Sequence, residues 1–222
     1  MDHKLQHTLE ATLNTYARID KLDATAVSVE LKAVFQASMP YMEKVADMDA
    51  VFDNHPQFEE LRETVFDLLL INFFADDVLK LEADYLESPE WEAIEERTID
   101  RGTELLNLLL YLRECADESI VPNLSDYLKE FLLVDEDEFQ DEHRIYEPVI
   151  ANQLLVDGTY ADIAQIANQL AENNELAELF YPLMGFFNEP NPSEQDWTAF
   201  VSASRNPALD AALYKLIITY NL

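Results

Sequence analysis

Glycine and cysteine are both scarce in this chain of 222 residues, which has three glycines and one cysteine. So few glycines fit poorly with an all-β fold, because tight hairpin turns need residues that tolerate positive φ. A single cysteine, Cys115, excludes an intrachain disulfide. The longest apolar segment, 68–75, is far shorter than the roughly 20 residues that a membrane-spanning helix needs. We therefore expect no membrane association.

Lysine and arginine are also scarce. Fourteen Lys and Arg face 45 Asp and Glu, which gives a net charge of −31. This excess argues against direct contact with nucleic acid or anionic lipid, because both would repel the chain. Apolar residues make up 49% of the composition, enough for a packed core, so the acidity belongs to a folded protein. The N-terminal segment lacks the apolar stretch of a signal peptide, and we expect a cytoplasmic protein.

Apolar residues recur at a period of 3.6 along nearly the whole chain, as in Leu5, Leu9 and Leu13. No segment alternates in polarity between hairpin turns. The sequence therefore predicts an all-α fold of about eight to ten helices. They would form either an irregular multi-helix bundle or a short helical-hairpin array. The array is suggested by two buried helices that align with Asp67 on Glu104, but no good third copy follows.

Four longer segments are each predicted to form one helix: 57–86, 88–115, 141–156 and 175–187. The first is apolar on nearly all sides in its middle, which is typical of a helix at the centre of a fold. Within the last, Pro182 predicts a kink, because proline lacks the N–H that an interior helical residue donates.

Three polar residues mark helix starts. Ser88 is followed by Pro89, which favours the first turn of a helix. Thr159 and Ser193 each precede an aspartate by three residues, the spacing of an N-terminal capping arrangement. The C-terminal helix from Pro207 has one apolar face, which predicts that it docks against the body.

We expect a single all-α domain over 1–222. The alternative boundary is a loop rich in proline and asparagine near 187–193, which would leave a C-terminal helical pair at 193–222.

No catalytic, cofactor-binding or metal-binding spacing stands out. Asp135, Asp137 and Asp141 have the spacing of a calcium loop, but that loop needs glycine at its sixth position and glutamate at its twelfth, and neither is present. Carboxylates beside Cys115 disfavour a reactive thiolate. We predict no catalytic residue, no cofactor and no metal, and we favour a non-enzymatic protein.

The negative charge is unevenly placed along the chain. Residues 1–42 carry a net charge of −1, 43–100 carry −14, 101–147 carry −9 and 148–222 carry −7. An acidic middle region is predicted to form an interaction surface, which steers a basic partner towards it. Its candidate residues are Glu92, Glu95, Glu96, Asp135, Glu136, Asp137, Glu138, Asp141 and Glu142.

The leading hypothesis is a non-enzymatic, acidic helical interaction module that meets a basic partner protein. Three alternatives stay open. The acidity could serve solubility alone, or the carboxylates could mimic the phosphates of nucleic acid in an inhibitor of a nucleic-acid-binding protein. The third alternative is a small-ligand-binding or enzymatic pocket between the buried helices, where Asp67 or Asn72 would be costly unless paired.

Overall fold

A computed structural model describes residues 1–76, 88–132, 145–171 and 173–222. These residues form twelve α-helices and two 3₁₀ helices and contain no strand, so the all-α prediction is confirmed. Within the same residues, none of the helices combines the length and the apolar character required to cross a membrane.

The chain folds as two compact units, residues 1–106 and residues 107–222. The segment near 187–193 lies inside the second unit. The assignment of the whole chain to one domain stays a prediction.

The described part of the first unit has five α-helices and a 3₁₀ helix, Pro56–Leu61, that precedes the fourth. Its α-helices are α1 (His3–Asp20), α2 (Thr25–Gln36), α3 (Tyr41–Asn54), α4 (Arg62–Asp76) and α5 (Pro89–Thr98). The side chain of Asp2 caps the start of α1 by accepting from Leu5 N at 2.7 Å. α3 packs on both α2 and α4, and α1 also packs on α4.

The central position predicted for α4 is confirmed. Val65, Leu68 and Leu69 are fully buried, and Phe66 and Ile71 are nearly so. The predicted α-helix from residue 57 is wrong at its start, where Pro56–Leu61 adopts the tighter 3₁₀ form. There the amide of Phe58 donates to His55 O, so the chain turns before α4 begins. The part of the prediction beyond Asp76 lies outside the described residues.

The prediction of one helix over 88–115 is wrong. α5 ends at Thr98, and α6 (Leu105–Glu118) begins after a turn in which Gly102 has a φ of 82°. Glycine tolerates this conformation because it has no Cβ. The backbone amides of Gly102 and Thr103 donate to carboxylates of α4 and make no helical hydrogen bond.

The described part of the second unit contains the remainder of α6 and six further α-helices. These are α7 (Leu124–Leu132), α8 (Glu147–Ala151), α9 (Tyr160–Ala167), α10 (Phe180–Asn188), α11 (Glu194–Ala203) and α12 (Pro207–Asn221), with a 3₁₀ helix over Gln153–Asp157. Both predicted capping arrangements are confirmed. Thr159 and Ser193 each accept from the amide of the aspartate three residues on, and that carboxylate accepts from the capping residue's own amide.

Two helix predictions in this unit need correction. Over 141–156, the described residues form only α8 and the 3₁₀ helix, because the hydrogen bonds after Ala151 shorten to the 3₁₀ pattern. The helix predicted over 175–187 begins at Phe180. Pro182 therefore stands in its first turn, where no N–H is needed, and the predicted kink has no cause.

α12 is the central helix of the second unit, and it packs chiefly on α10. We expected one apolar face, but almost all of its residues are buried, Lys215 being half-exposed. Phe200 of α11 lies against it, with its ring centroid 4.3 Å from that of Tyr214 and 4.4 Å from that of Tyr181. Gly185 permits this approach, since a Cβ there would lie 2.6 Å from the Phe200 ring.

Candidate functional site

α5 carries the part of the predicted acidic surface that the structure describes. Ser88 starts the helix by accepting from Trp91 N at 3.1 Å, as predicted. The buried side of the helix is formed by Ile94 and by the half-buried Trp91. The Trp91 ring lies 5.2 Å from that of Phe74 in α4. These apolar contacts decide which side of α5 meets solvent.

Glu92, Glu95 and Glu96 are exposed on α5. Their spacing of three and four residues places them together on the helix surface. In the part of the chain that the structure describes, none of the three has an ion-pair partner. They form an uncompensated negative patch, which we call the α5 patch.

The other six predicted surface residues cannot be placed beside the α5 patch. Asp135, Glu136, Asp137, Glu138, Asp141 and Glu142 all lie outside the described residues. Their assignment to an interaction surface stays a prediction.

Two arginines of the first unit, Arg62 and Arg101, are held by carboxylates of the same unit. Arg101 donates from both terminal nitrogens to Asp49, at 3.0 and 3.1 Å, and from Nε to Glu63 at 3.0 Å. Its guanidinium also lies over the Phe66 ring, 4.8 Å from the centroid. Arg62 contacts Asp49 too, with Nη1 3.1 Å from Oδ1. Its other partners are Asp53 and Glu59.

This ionic network was not predicted from the sequence. Its contacts join residues nine to 52 positions apart, apart from the local pair of Arg62 with Glu59. One feature of the sequence could have indicated the network. Basic residues are scarce in this acidic region, so each arginine has many carboxylates as candidate ion-pair partners. Both arginines are already paired with carboxylates inside the unit. Their positive charges therefore do not neutralise the α5 patch.

Glu63 and Asp67, one turn apart on α4, together hold the turn that precedes α6. Glu63 Oε2 accepts from Gly102 N at 2.7 Å, and Asp67 Oδ2 accepts from Thr103 Oγ1 at 2.6 Å. Asp67 also accepts from Thr103 N at 3.1 Å. We call Glu63, Asp67 and the turn Arg101–Thr103 the α4 clamp.

The hydrogen bonds of the α4 clamp offset the free-energy cost of burying the polar side chain of Asp67. Burial raises the pKa of Asp67 to about 8, although the hydrogen bonds from Thr103 act in the opposite direction. Glu63 and Glu104 raise this pKa further. A buried carboxyl is thus satisfied by structural donors, as buried polar groups normally are. This contact gives the alternative of an enzymatic pocket no support at Asp67.

The remaining candidates for chemistry show no catalytic arrangement in the described residues. Burial raises the pKa of the Cys115 thiol, and nearby carboxylates such as Glu114 act in the same direction. His55 lies 3.2 Å from Glu30, and His3 and His7 are exposed. Over 1–76, 88–132, 145–171 and 173–222, no group of three or more His, Cys, Asp or Glu is placed to hold a metal ion.

Comparison with known proteins finds no match: neither a family model, nor a curated protein, nor a solved structure resembles this chain.

Proposed function

We propose that this chain is a non-enzymatic, acidic interaction module of the cytoplasm, and that the α5 patch meets a basic partner protein. The supporting observation is the contrast between two groups of charges in the first unit. Glu92, Glu95 and Glu96 are exposed and have no ion-pair partner among the described residues, whereas Arg62 and Arg101 are half-buried and paired.

The charges of the α5 patch cost some stability, and among the described residues no ion pair offsets this cost. Glu92 and Glu96 are one turn apart, and like charges at this spacing destabilise a helix by a few tenths of a kcal/mol. A set of exposed carboxylates raises the rate at which a positively charged partner associates. Salt screens this attraction over about 10 Å at 0.1 M, so binding should weaken as salt is added.

The test compares two triple variants of the full chain. Glu92→Gln, Glu95→Gln and Glu96→Gln remove the α5 patch. The control removes Glu114, Asp117 and Glu118 from α6 by the same amide substitutions. These control residues have the same spacing on a helix and the same charge, and they are also exposed. Both variants therefore change the net charge equally, and only one changes the α5 patch.

A partner is first captured from the native lysate at about 50 mM salt, and its affinity for each variant is then measured by titration across salt concentrations. We expect the α5 variant to bind about tenfold more weakly or worse, since exposed charge pairs contribute roughly 0.2–1 kcal/mol each. The α6 variant should bind within about twofold of the parent, because charges outside the contact act weakly through screened solvent.

Three outcomes would contradict the proposal. If no protein is retained at about 50 mM salt, the electrostatic attraction is absent. If the two variants lose affinity equally, binding follows net charge and the α5 patch has no special part in it. If neither loses affinity, the partner binds elsewhere. Competition by duplex DNA for the same partner would support the mimicry alternative, and lack of competition would exclude it.

A further inference from the structure

Two histidines lie four residues apart at the start of α1. His3 is the first residue of the helix, and His7 follows about one turn later. Both side chains are exposed. Neither makes a hydrogen bond or an ion pair in the part of the chain that the structure describes. Their ring nitrogens are therefore accessible to a ligand from solvent.

The turn that carries His3 is anchored to the helix behind it and to the core of the first unit. The carboxylate of Asp2 accepts from Leu5 N at 2.7 Å, and the carbonyl oxygen of Asp2 accepts from Gln6 N at 3.1 Å. The side chain of Leu5 is buried. The backbone that connects the two histidines is thus held in helical geometry by contacts of this chain alone.

The spacing places the two rings side by side. Residues four apart on a helix have their Cβ atoms about 5–6 Å from each other. Each Cα–Cβ bond also tilts towards the helix N-terminus, so the His7 side chain extends back over the turn that carries His3. Since an imidazole nitrogen binds Zn²⁺ at roughly 2.0–2.1 Å, both rings can reach one ion.

The same spacing is used by zinc enzymes in which two histidines on one helix face enclose a glutamate that acts as the general base. In this chain the residue after the first histidine is Lys4. The pair therefore has the ligands of such a site without its base, which agrees with a non-enzymatic role.

A negative charge lies beside the two rings. Glu10 follows His7 by three residues on the same helix. Hydrogen bonds from Lys32 and Gln6 lower the pKa of Glu10, and His7 acts electrostatically in the same direction, so this carboxylate is ionised at neutral pH. Its Oε1 is occupied by Lys32 Nζ at 2.8 Å. We assign Glu10 as a neighbouring charge and not as a ligand, because the described residues contain no metal-binding group of three.

We propose that His3 and His7 form a surface site for Zn²⁺. Each neutral ring binds the ion through one nitrogen and keeps its proton on the other, and water fills the remaining positions. Imidazole is a good ligand for Zn²⁺, whereas Ca²⁺ and Mg²⁺ prefer oxygen ligands. This site revises the sequence-based prediction of no metal, and it is independent of the proposed binding of a basic partner.

The first experiment is a calorimetric titration of the full chain with Zn²⁺ at about pH 7.5, where imidazole is neutral, with excess Mg²⁺ present to occupy carboxylates. We expect His3→Gln and His7→Gln each to weaken Zn²⁺ binding about tenfold or more, since losing even a group that only orients a ligand costs roughly 10–100-fold. The control His55→Gln, at a histidine outside α1, should bind as the parent does. Equal affinity in the parent and in both α1 variants would overturn the proposal.

A further variant tests the spacing of the histidines and keeps their number. His7→Gln combined with Asn14→His leaves four histidines in the chain, but the two on α1 are then 11 residues apart, since 14 − 3 = 11. This is roughly 16 Å along the helix axis, too far for one ion to reach both rings. Asn14 is exposed, so the fold should tolerate the change. The variant should bind Zn²⁺ as weakly as His7→Gln, and binding as tight as in the parent would contradict the site.

Amide hydrogen exchange on the parent protein gives a readout that needs no variant. Both rings can bind the same ion only while the first turn of α1 is helical, so Zn²⁺ should slow exchange at the amides of Leu5 and Gln6. With free Zn²⁺ at about 100 times Kd, their protection should rise by up to about 100-fold. Unchanged protection would overturn the proposal. Loss of Zn²⁺ binding in excess Mg²⁺ would do so too, because carboxylates would then hold the ion.

Discussion

The two compact units have nearly the same charge but hold their central helices by different interactions. Residues 1–106 contain 24 acidic and nine basic side chains, a net charge of −15, and residues 107–222 contain 21 and five, a net charge of −16. In the first unit, the side-chain oxygens of Glu63 and Asp67 in α4 accept hydrogen bonds from a neighbouring turn. In the second unit, Tyr214 of α12 is held by aromatic rings and by hydroxyl hydrogen bonds.

The two units therefore differ in whether the buried groups that hold their central helices can change charge near neutral pH. Burial raises the pKa of Tyr214 far above the physiological range, so its hydroxyl stays neutral while it donates to Glu189 O. Asp67, by contrast, has a pKa of about 8 for the same reason, since burial disfavours its charged form. We therefore expect the contacts around α4 to depend on pH and salt, and those around Tyr214 to be nearly independent of both.

The largest effect is expected for Phe200→Ala in the second unit. Removing a fully buried ring that packs on Tyr181 and Tyr214 should lower the free energy of unfolding by about 3–5 kcal/mol. The loss should be equal at pH 5.5 and pH 8 in denaturant titrations. The exposed Gln195→Ala in the same helix should change stability by less than about 0.5 kcal/mol. A strong pH dependence of the Phe200→Ala loss would break the comparison between the units.

Gly102→Ala tests the turn of the α4 clamp. Alanine must adopt a positive φ there, and its Cβ would collide with Asp67 Oδ1. We expect a loss of about 2–3 kcal/mol, from backbone strain together with displacement of the carboxyl. Gly158→Ala is the matched control in the second unit, because Gly158 has a negative φ and its nearest neighbour would be 3.2 Å away. If Gly158→Ala lost as much stability as Gly102→Ala, the loss could not be assigned to the positive φ and the close contact at Gly102.

Arg101→Gln tests the ionic part of the same unit. The loss should be about 1–2 kcal/mol, between the values for exposed and buried ion pairs, because the Arg101 side chain is 22% exposed. It should shrink as salt is raised from 50 to about 500 mM. Arg97→Gln, at an exposed position of α5, is the control and should be nearly neutral. A loss that salt does not alter would assign the effect of Arg101 to packing on Phe66 alone.

The smallest effect is expected for Tyr214→Phe, which removes one hydroxyl and keeps the ring. The loss of its hydrogen bond to Glu189 O should cost about 1 kcal/mol at pH 5.5 and at pH 8 alike. Denaturant titrations at both pH values measure it. A cost that rises with pH would show that this hydroxyl is coupled to an ionising group, and the proposed difference between the units would then fail.

Features that depend on neighbours in the sequence were predictable. Ser88, Thr159 and Ser193 each cap a helix through an amide three residues away, so residue type and spacing were sufficient. Glu92, Glu95 and Glu96 are exposed on α5, as expected of ionised side chains chosen for their charge. Features that depend on distant residues were missed, above all the contacts of Arg101 with Glu63 and Asp49, 38 and 52 positions away.

The scarcity of glycine and the 3.6-residue periodicity were enough to determine an all-α protein, because both act through local backbone preference. Composition alone likewise determined its large negative charge.

Tertiary structure decided where the segment after Ser88 stops being helical. There the side-chain oxygens of Glu63 and Asp67 accept hydrogen bonds from two backbone amides of the turn. It also decided that Arg101 pairs inside the first unit while the glutamates of the α5 patch stay in solvent. Those outcomes depend on which distant groups packing brings within hydrogen-bond reach, and local sequence does not specify that.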